Sequence, residues 1–312
     1  MAVFDADLII IGAGPAGLTA AQYGARANLK VLVIEQLSPG GQILVIDRLE
    51  NYPGVTEGIS GYDFSLALYK QAESFGASFL TETVTSIKKN EHFTVELADG
   101  KTLTAFAVIL AAGSKPSLLG VPGETEFSAK GVSYCATCDG PSFKNKKMFV
   151  VGGGDAACEE ASYLSRLTEN VVLVHRRDSF RAQKALAERT MKNPKIEVRF
   201  NTVIKEIKGD KKVKSVVLEN NKTGKTSEEE TDAVFIFAGT VPQSSLARSL
   251  GAELDENGYI ITDQKMATNI PGFYAVGDIR SNAFRQIVTA AADGAVAAHN
   301  ASGYIDETKS KN

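Results

Sequence analysis

The chain has 312 residues, 44% hydrophobic and 23% charged, with 28 glycines; this is ordinary for a soluble globular protein and long enough for two domains with their own cores. A net charge of −3 without a basic patch argues against a nucleic-acid partner. No apolar run approaches the roughly 20 residues of a membrane span, and MAVFDADLIIIGAG carries neither a basic n-region nor a cleavage site, so no membrane association and a cytoplasmic location are expected.

The first predicted unit, DLIIIGAGPAGLTAAQYGARANLKVLVIE, reads as strand, turn, helix, strand. Leu8 to Ile11 form a continuous apolar strand, as in a parallel sheet covered on both faces. Gly12-x-Gly14-x-x-Gly17 then opens an Ala-rich helix. The three glycines serve a tight turn, the approach of a pyrophosphate, and close helix–strand packing, and the helix start offers free N–H groups to the phosphates. The strand Val31 to Ile34 ends at Glu35, a carboxylate suited to ribose hydroxyls.

Tyr62 to Phe75 is helical by pattern, and short alternating strands fill Phe79 to Leu110. VILAAGSKP is a further apolar strand ending in a glycine turn, and Pro116, Pro122 and Gly123 mark a linker. A second strand–turn–helix follows: Met148 to Val151, then Gly152-x-Gly154-x-x-Ala157, then a strand from Val171 to Val174. The spacing from Gly17 to Glu35 equals that from Ala157 to His175, 18 positions each. In the second unit the acid is therefore replaced by His175-Arg176-Arg177, with Arg181 one turn on. A carboxylate repels a 2′-phosphate and arginines bind it, so this site should prefer NADPH to NADH. A strand-rich section runs from Ile196 to Phe237, and AVFIFAGTVPQ echoes AVILAAGSKP. The fold class expected is α/β, with two Rossmann-like domains: residues 118–243 inserted into a first domain made of 1–117 and 244–312. Near the end, FYAVGDIR is a strand reaching Gly277-Asp278, Ala283 to Asn300 is a helix, and the tail DETKSKN is expected to be disordered.

YCATCDG holds Cys135 and Cys138, two of three cysteines, followed by Asp139. Zinc needs about four ligands, and only Cys158 and the scattered His92, His175 and His299 remain, so no metal is expected. A structural disulfide across so small a loop stabilises little. Redox work fits better, because a helix start and polar neighbours can lower one thiol's pKa, and Asp139 is placed to shuttle a proton. Cys158 sits among Ala and Glu in the second motif's helix and reads as a buried, inert thiol.

From about Asp7 to Ser302 the chain resembles the low-molecular-weight bacterial thioredoxin reductases, through GAGPAGLTAA, PGGQ, ENYPG, CATCDG, GGGDAACEEA, HRRDSFRA, VGDIR and RQIVTAAADG in that order. The resemblance implies a flavoprotein that moves electrons from NADPH through FAD to the CxxC disulfide and on to thioredoxin. It implies that Gly12, Gly14, Pro15, Ala16, Gly17, Glu35 and Gln36 hold the ADP half of FAD. Gly41, Gln42, Asn51, Gly277, Asp278, Arg285, Gln286 and Ile287 would line the rest of it. Gly154, Asp155, Ala156, His175, Arg176, Arg177 and Arg181 would hold NADPH. Cys138 would face the flavin, Cys135 would attack thioredoxin, and Asp139 would act as acid and base. A homodimer is implied as well, and so is a rotation of the inserted domain that presents nicotinamide and dithiol to the flavin in turn. Two departures from the family pattern, Ala156 for Ser and Ala112 for Thr, bear on cofactor affinity rather than on the reaction. The competing readings are another flavin-dependent reductase or dithiol oxidase and a non-catalytic FAD redox sensor. A ferredoxin– or flavodoxin–NADP reductase would lack the CxxC, a dithiol oxidase would tend to lose the arginines, and a sensor would not need them.

Overall fold

The structure is a computed structural model that describes residues 4–46, 49, 51–55, 59–282 and 284–311, with the backbone alone for 45, 138 and 311. The chain divides into two compact units, Met1–Lys115 with Val241–Asn312, and Pro116–Thr240. Pro122 and Gly123 lie inside the second unit, where the Pro122 carbonyl accepts the Ile207 N–H at 2.9 Å.

In the first unit five parallel strands stand in the order Phe273–Ala275, Ala107–Leu110, Leu8–Ile11, Val31–Glu35, Ser78–Thr81. Strand residues alternate between faces. Leu8 and Ile10 join the core beneath the helices Pro15–Arg26 and Ile287–Lys311; Ile9 and Ile11 pack instead with Ile87, Phe93, Val95 and Leu97. Those last residues belong to a three-stranded antiparallel sheet, Val84–Lys89, Phe93–Leu97 and Thr102–Ala105. Both faces of the parallel sheet are covered, which is why its central strand has no polar position.

The second unit repeats the plan. Its parallel strands run Val132–Ser133, Ala233–Phe237, Met148–Gly152, Val171–His175, Ile196–Phe200. A three-stranded antiparallel sheet, Thr202–Gly209, Val213–Asn220 and Thr226–Glu230, covers one face through Ile204, Ile207, Val216 and Leu218. AVIL and AVFIF, the segments that echo one another in sequence, both pair with the central strand of their sheet.

The C-terminal segment departs from expectation. The final helix begins at Ile287, with Ala283 outside the described residues, and runs through Lys311. DETKSKN is therefore helical as far as Lys311 instead of disordered. Ala297, Ala298, Ala301 and Ile305 bury one stripe at helical spacing, and Lys309 Nζ reaches Asp7 Oδ1 at 2.7 Å. Polar composition hid the continuation; the stripe and the ion pair explain it. Among the described residues no helix is long and apolar enough to cross a membrane.

Helix and nucleotide-type turn meet closely at Gly17, where a Cβ would stand 1.9 Å from the Gly12 carbonyl oxygen. Gly17→Ala should lower stability by about 3 kcal/mol, because the backbone must part to admit a methyl. Gly303, exposed in the last helix with nothing within 4 Å of its would-be Cβ, is the contrast. Gly303→Ala should raise stability by about 0.5–1 kcal/mol through helix propensity. Chemical denaturation of both variants checks the pair of signs.

Candidate active site

The first nucleotide turn sits at the C-terminal end of Leu8–Ile11. Gly12 adopts φ +100, and a Cβ there would strike the Ala111 carbonyl at 2.5 Å. Gly14 caps the helix Pro15–Arg26 in extended conformation, and nothing lies within 4 Å of its would-be Cβ. Gly41, at φ +59, faces it, with its would-be Cβ 3.3 Å from the Gly14 Cα. Pro15, Ala16 and Gly17 form the first turn, where N–H groups are free for an anion. Glu35 ends its strand with the carboxylate accepting the Ala13 N–H at 2.8 Å and the Leu37 N–H at 3.1 Å, while Gln36 is exposed.

The other predicted residues of this unit fall into small groups. Gln42 donates through Nε2 to the Ser114 carbonyl at 2.8 Å. Asn51 donates to Gln286 Oε1 at 2.9 Å, and Ile287 packs on the cluster of Ile43, Leu49 and Phe64. Gly277 and Asp278 start a short 3-10 turn. Burial pushes the Asp278 carboxyl up, Arg285 pulls it down, and Asp293 adds to the rise. Asp293 itself pairs with Arg280 at 2.7 Å. Arg285 lies 3.9 Å over the Tyr259 ring, and its Nε is buried with no partner. The Ser114 Oγ is a second buried, unpartnered polar atom. An open glycine cradle at a helix start, with orphaned polar atoms in the same unit, fits a dinucleotide.

The second turn differs in how it is packed. Gly154 caps the helix Asp155–Leu164 and, like Gly14, has nothing within 4 Å of its would-be Cβ. His175 is buried, and a Cβ on Gly153 would fall 2.2 Å from its ring. The imidazole packs against Phe180 and Phe200, and its Nε2 has no partner. Burial, then Arg177 and Arg176, hold its pKa below the ordinary value, so His175 is a neutral floor to the turn and adds no cation. The cations are Arg176, Arg177 and Arg181, all exposed, with no carboxylate partner among the described residues. Their loop is pinned by its backbone: the Arg176 and Arg177 carbonyls accept from Asn221 and Asn201, and the Arg181 N–H donates to the Gly153 carbonyl. Asp155 fastens the same loop, accepting from Gln183 through backbone N at 2.7 Å and Nε2 at 2.9 Å. Ala156 is exposed beside it.

In the redox motif Cys135 is disulfide-bonded, while Cys158 is free and buried, its thiol pushed up by burial. The side chain of Cys138 lies outside the described residues; its backbone belongs to the short helix Ala136–Asp139. Ser133, not singled out by sequence, organises this segment. Its Oγ accepts the Cys135 N–H at 3.0 Å and donates to Asp139 Oδ2 at 2.6 Å, with the Cys135 carbonyl at 3.1 Å as a second acceptor. Glu124, 1% exposed, accepts from the Leu119 and Gly120 N–H groups and from the Tyr134 hydroxyl, fixing the residue before Cys135. Burial and Glu124 push the Tyr134 phenol up, so it stays protonated and donates. Nothing in the spacing of Ser133 or Glu124 signals these roles, since serines and glutamates are common on surfaces.

Comparison with known proteins agrees with this geometry. Residues 6–294 match the family model of the pyridine nucleotide-disulphide oxidoreductases. The chain belongs to that family. It is 54% identical over 303 residues to a thioredoxin reductase of Treponema pallidum, covering 97% of this chain and 98% of that protein. It is 47% identical to a thioredoxin reductase of Listeria innocua, covering 97% and 95%. The crystal structure of Lactococcus lactis thioredoxin reductase (FR conformation) superposes with a TM-score of 0.93 at 43% identity, covering 97% of this chain and all of that one.

Two titrating groups flank the second turn with opposite signs. Burial and Glu159 push the Glu160 carboxyl up to about 7, against the pull of Arg166. A raised carboxyl leaves its contribution to stability complete below 4.5 and removes it as pH rises through about 7. Glu160→Gln should therefore gain about 2 kcal/mol over the parent near pH 8 and nothing near pH 4. The lowered His175 works the other way: its contribution is present above 6.5 and is lost as pH falls below that value. His175→Phe should flatten that acid limb. Urea unfolding across this range resolves both.

Proposed function

We propose that the chain is an NADPH-dependent thioredoxin-disulfide reductase that uses FAD. The observation that carries this reading is found within residues 116–240 alone. A disulfide-bonded Cys135, held by Ser133 and Asp139, shares one compact unit with a glycine turn followed by three exposed arginines. Three of the relatives are named thioredoxin reductase.

The first unit's turn would hold the ADP half of FAD. The Gly14 and first-turn N–H groups would meet the pyrophosphate, and Glu35, already oriented by the Ala13 and Leu37 N–H groups, would meet the ribose. Gln42, Asn51, Asp278 and Arg285 would lie along the remainder. Bound FAD supplies the transfer of an electron pair between a nicotinamide and a disulfide, which no side chain of the chain offers. Gly154 and the helix start at Asp155 would cradle the NADPH pyrophosphate, and Arg176, Arg177 and Arg181 would clamp its 2′-phosphate.

The dithiol formed from the Cys135 disulfide then exchanges with the thioredoxin disulfide. In this exchange Cys135 is the attacking thiolate, Cys138 resolves the mixed disulfide, and Asp139 takes and returns the thiol proton. Ser133 serves Asp139 in either protonation state. Its hydrogen lies on the carboxylate when Asp139 is charged and can turn to the Cys135 carbonyl when Asp139 carries the proton. The dithiol and the NADPH turn belong to one unit and the FAD turn to the other, so alternation by rotation near Ser117 and Gln243 is part of the reading. A homodimer and a cytoplasmic setting enter it through the resemblance.

The test mixes the yellow protein with NADPH and oxidised thioredoxin and follows thiol release. Flavin bleaching without thiols would overturn the reading. Replacing Arg176 and Arg177 together by Ala should raise KM for NADPH by about tenfold or more while leaving NADH kinetics nearly unchanged. Ser133→Ala should lower kcat for thioredoxin by about tenfold and leave NADPH-driven flavin reduction intact, with Ser133→Thr retaining most of the rate. Stopped-flow separation of the two half-reactions checks it.

A further inference from the structure

We propose that Glu124 is a positioning residue for the redox centre, holding the attacking Cys135 in place through the phenol of Tyr134. This rests on the dithiol-exchange reading given above. The need for such a hold comes from the strand that leads into the motif. Val132–Ser133 is an edge strand of two residues, and its ladder ends with Ser133 opposite Phe235. Tyr134 and Cys135 lie beyond that last pair, and chain past a ladder's end opens easily unless side chains hold it. Successive residues of a strand face opposite sides. Ser133 works on one side, where its hydroxyl joins the Cys135 N–H to Asp139. Val132 and Tyr134 face the other, packed with Leu119, Val121 and Phe127.

On that second side the hold is a single hydrogen bond to a fixed base. Tyr134 donates its hydroxyl proton to Glu124 Oε1 at 2.8 Å. The same carboxylate accepts the Leu119 N–H at 2.9 Å and the Gly120 N–H at 2.7 Å, and Glu124 is 1% exposed. A buried carboxylate is costly unless its oxygens are satisfied; here three donors satisfy it, one of them the phenol. The turn that carries Glu124 does not yield. The Glu124 N–H donates to the Val121 carbonyl at 3.2 Å, and the Ile207 N–H to the Pro122 carbonyl at 2.9 Å. A Cβ on Gly123 would stand 1.9 Å from the Ile207 carbonyl. The turn is thus clamped to the antiparallel sheet, and Glu124 carries that rigidity to the residue before Cys135. A thiolate must meet the disulfide it attacks in the right geometry, and small misplacements of reacting atoms cost rate steeply. The hydrogen bonds of Glu124 reach Cys135 only by way of Tyr134.

The experiment isolates the exchange step. Full-length, flavin-loaded protein is reduced with dithiothreitol, freed of it without air and mixed with oxidised thioredoxin, and the thioredoxin thiols formed are trapped over time by alkylation. Tyr134→Phe keeps the ring and removes the donor, and should slow the exchange about fivefold. Glu124→Gln should slow it at least as much. The double variant should be no slower than Glu124→Gln, because one path is then broken twice. NADPH-driven flavin reduction, which precedes the sulfur chemistry, should stay within about twofold of the parent in all three. A merely structural bond would lower the melting temperature and leave the exchange rate alone. Exchange within about twofold of the parent in Tyr134→Phe overturns the role. So does a double variant whose losses multiply, and so does an equal loss in flavin reduction. Should Glu124→Gln fail to fold, Tyr134→Phe decides by itself. A parent that exchanges with no thioredoxin overturns the thioredoxin reading and this role with it, and is told apart from the other outcomes because the parental rate itself is missing.

Discussion

Each nucleotide turn depends on one steric constraint: a helix must start so close to a strand end that backbone touches backbone. In the first unit the Gly12 carbonyl occupies the volume a Gly17 side chain would need. That closeness aims the helix's free N–H groups along the sheet edge, where parallel strands end and ligands bind in open α/β sheets. The second unit reaches the same arrangement by a different division of volume. Its third position carries a methyl, Ala157, and the relief comes from the strand side. A Cβ on Gly152 would lie 2.6 Å from the Ala157 Cβ and 2.6 Å from the Phe237 carbonyl. The strand-end glycine is required in both units, since a Cβ on Gly12 would meet the Ala111 carbonyl at 2.5 Å; only the helix glycine has given way to a methyl in the second, while helix and sheet stay in register.

At matched positions the two strands end in groups of opposite chemistry, and the local packing differs accordingly. Glu35 reaches back to the Ala13 N–H, leaving a carboxylate oriented at the turn. His175 instead fills the space that a side chain on Gly153 would take, so the second turn is floored by an aromatic ring. A charged imidazole in that place would face both burial and three neighbouring arginines, and all of these hold it neutral. Positive charge is therefore carried outward by Arg176, Arg177 and Arg181, on a loop tied down by Asn201, Asn221 and Gln183. Exposed arginine side chains lose rotamer freedom when they bind; a pinned backbone reduces what a phosphate would have to immobilise.

The sequence made the sheets legible because their central strands, Leu8–Ile11 and Met148–Gly152, are covered on both faces and so are written without interruption in apolar residues. Glycine spacing placed the helix starts for the same physical reason. Helix length at the C-terminus was not legible, since the stripe ending at Ile305 is narrow and DETKSKN is polar on every other face. The hydrogen-bond partners were not legible either. Ser114, Glu124, Ser133 and Gln183 owe their roles to groups up to 72 residues away, and a serine that orients an aspartate is spelled like any other serine. The role of His175 shifted for a related reason. Its place at the end of a strand could be counted, but its burial under Gly153 needed three dimensions.

Parallel pairing has a consequence for chemistry within the second unit. Val132–Ser133 and Met148–Gly152 both run parallel to Ala233–Phe237, one on each side. Their C-terminal ends therefore point the same way, two strand spacings or about 10 Å apart. Ser133 leads directly into Cys135 from one of these ends, and Gly152 leads into the nucleotide turn from the other. In the proposed reading a dithiol and a nicotinamide would be carried on one sheet edge and would approach a shared acceptor from the same side. This strand order within one unit is the geometric support for the alternation proposed above.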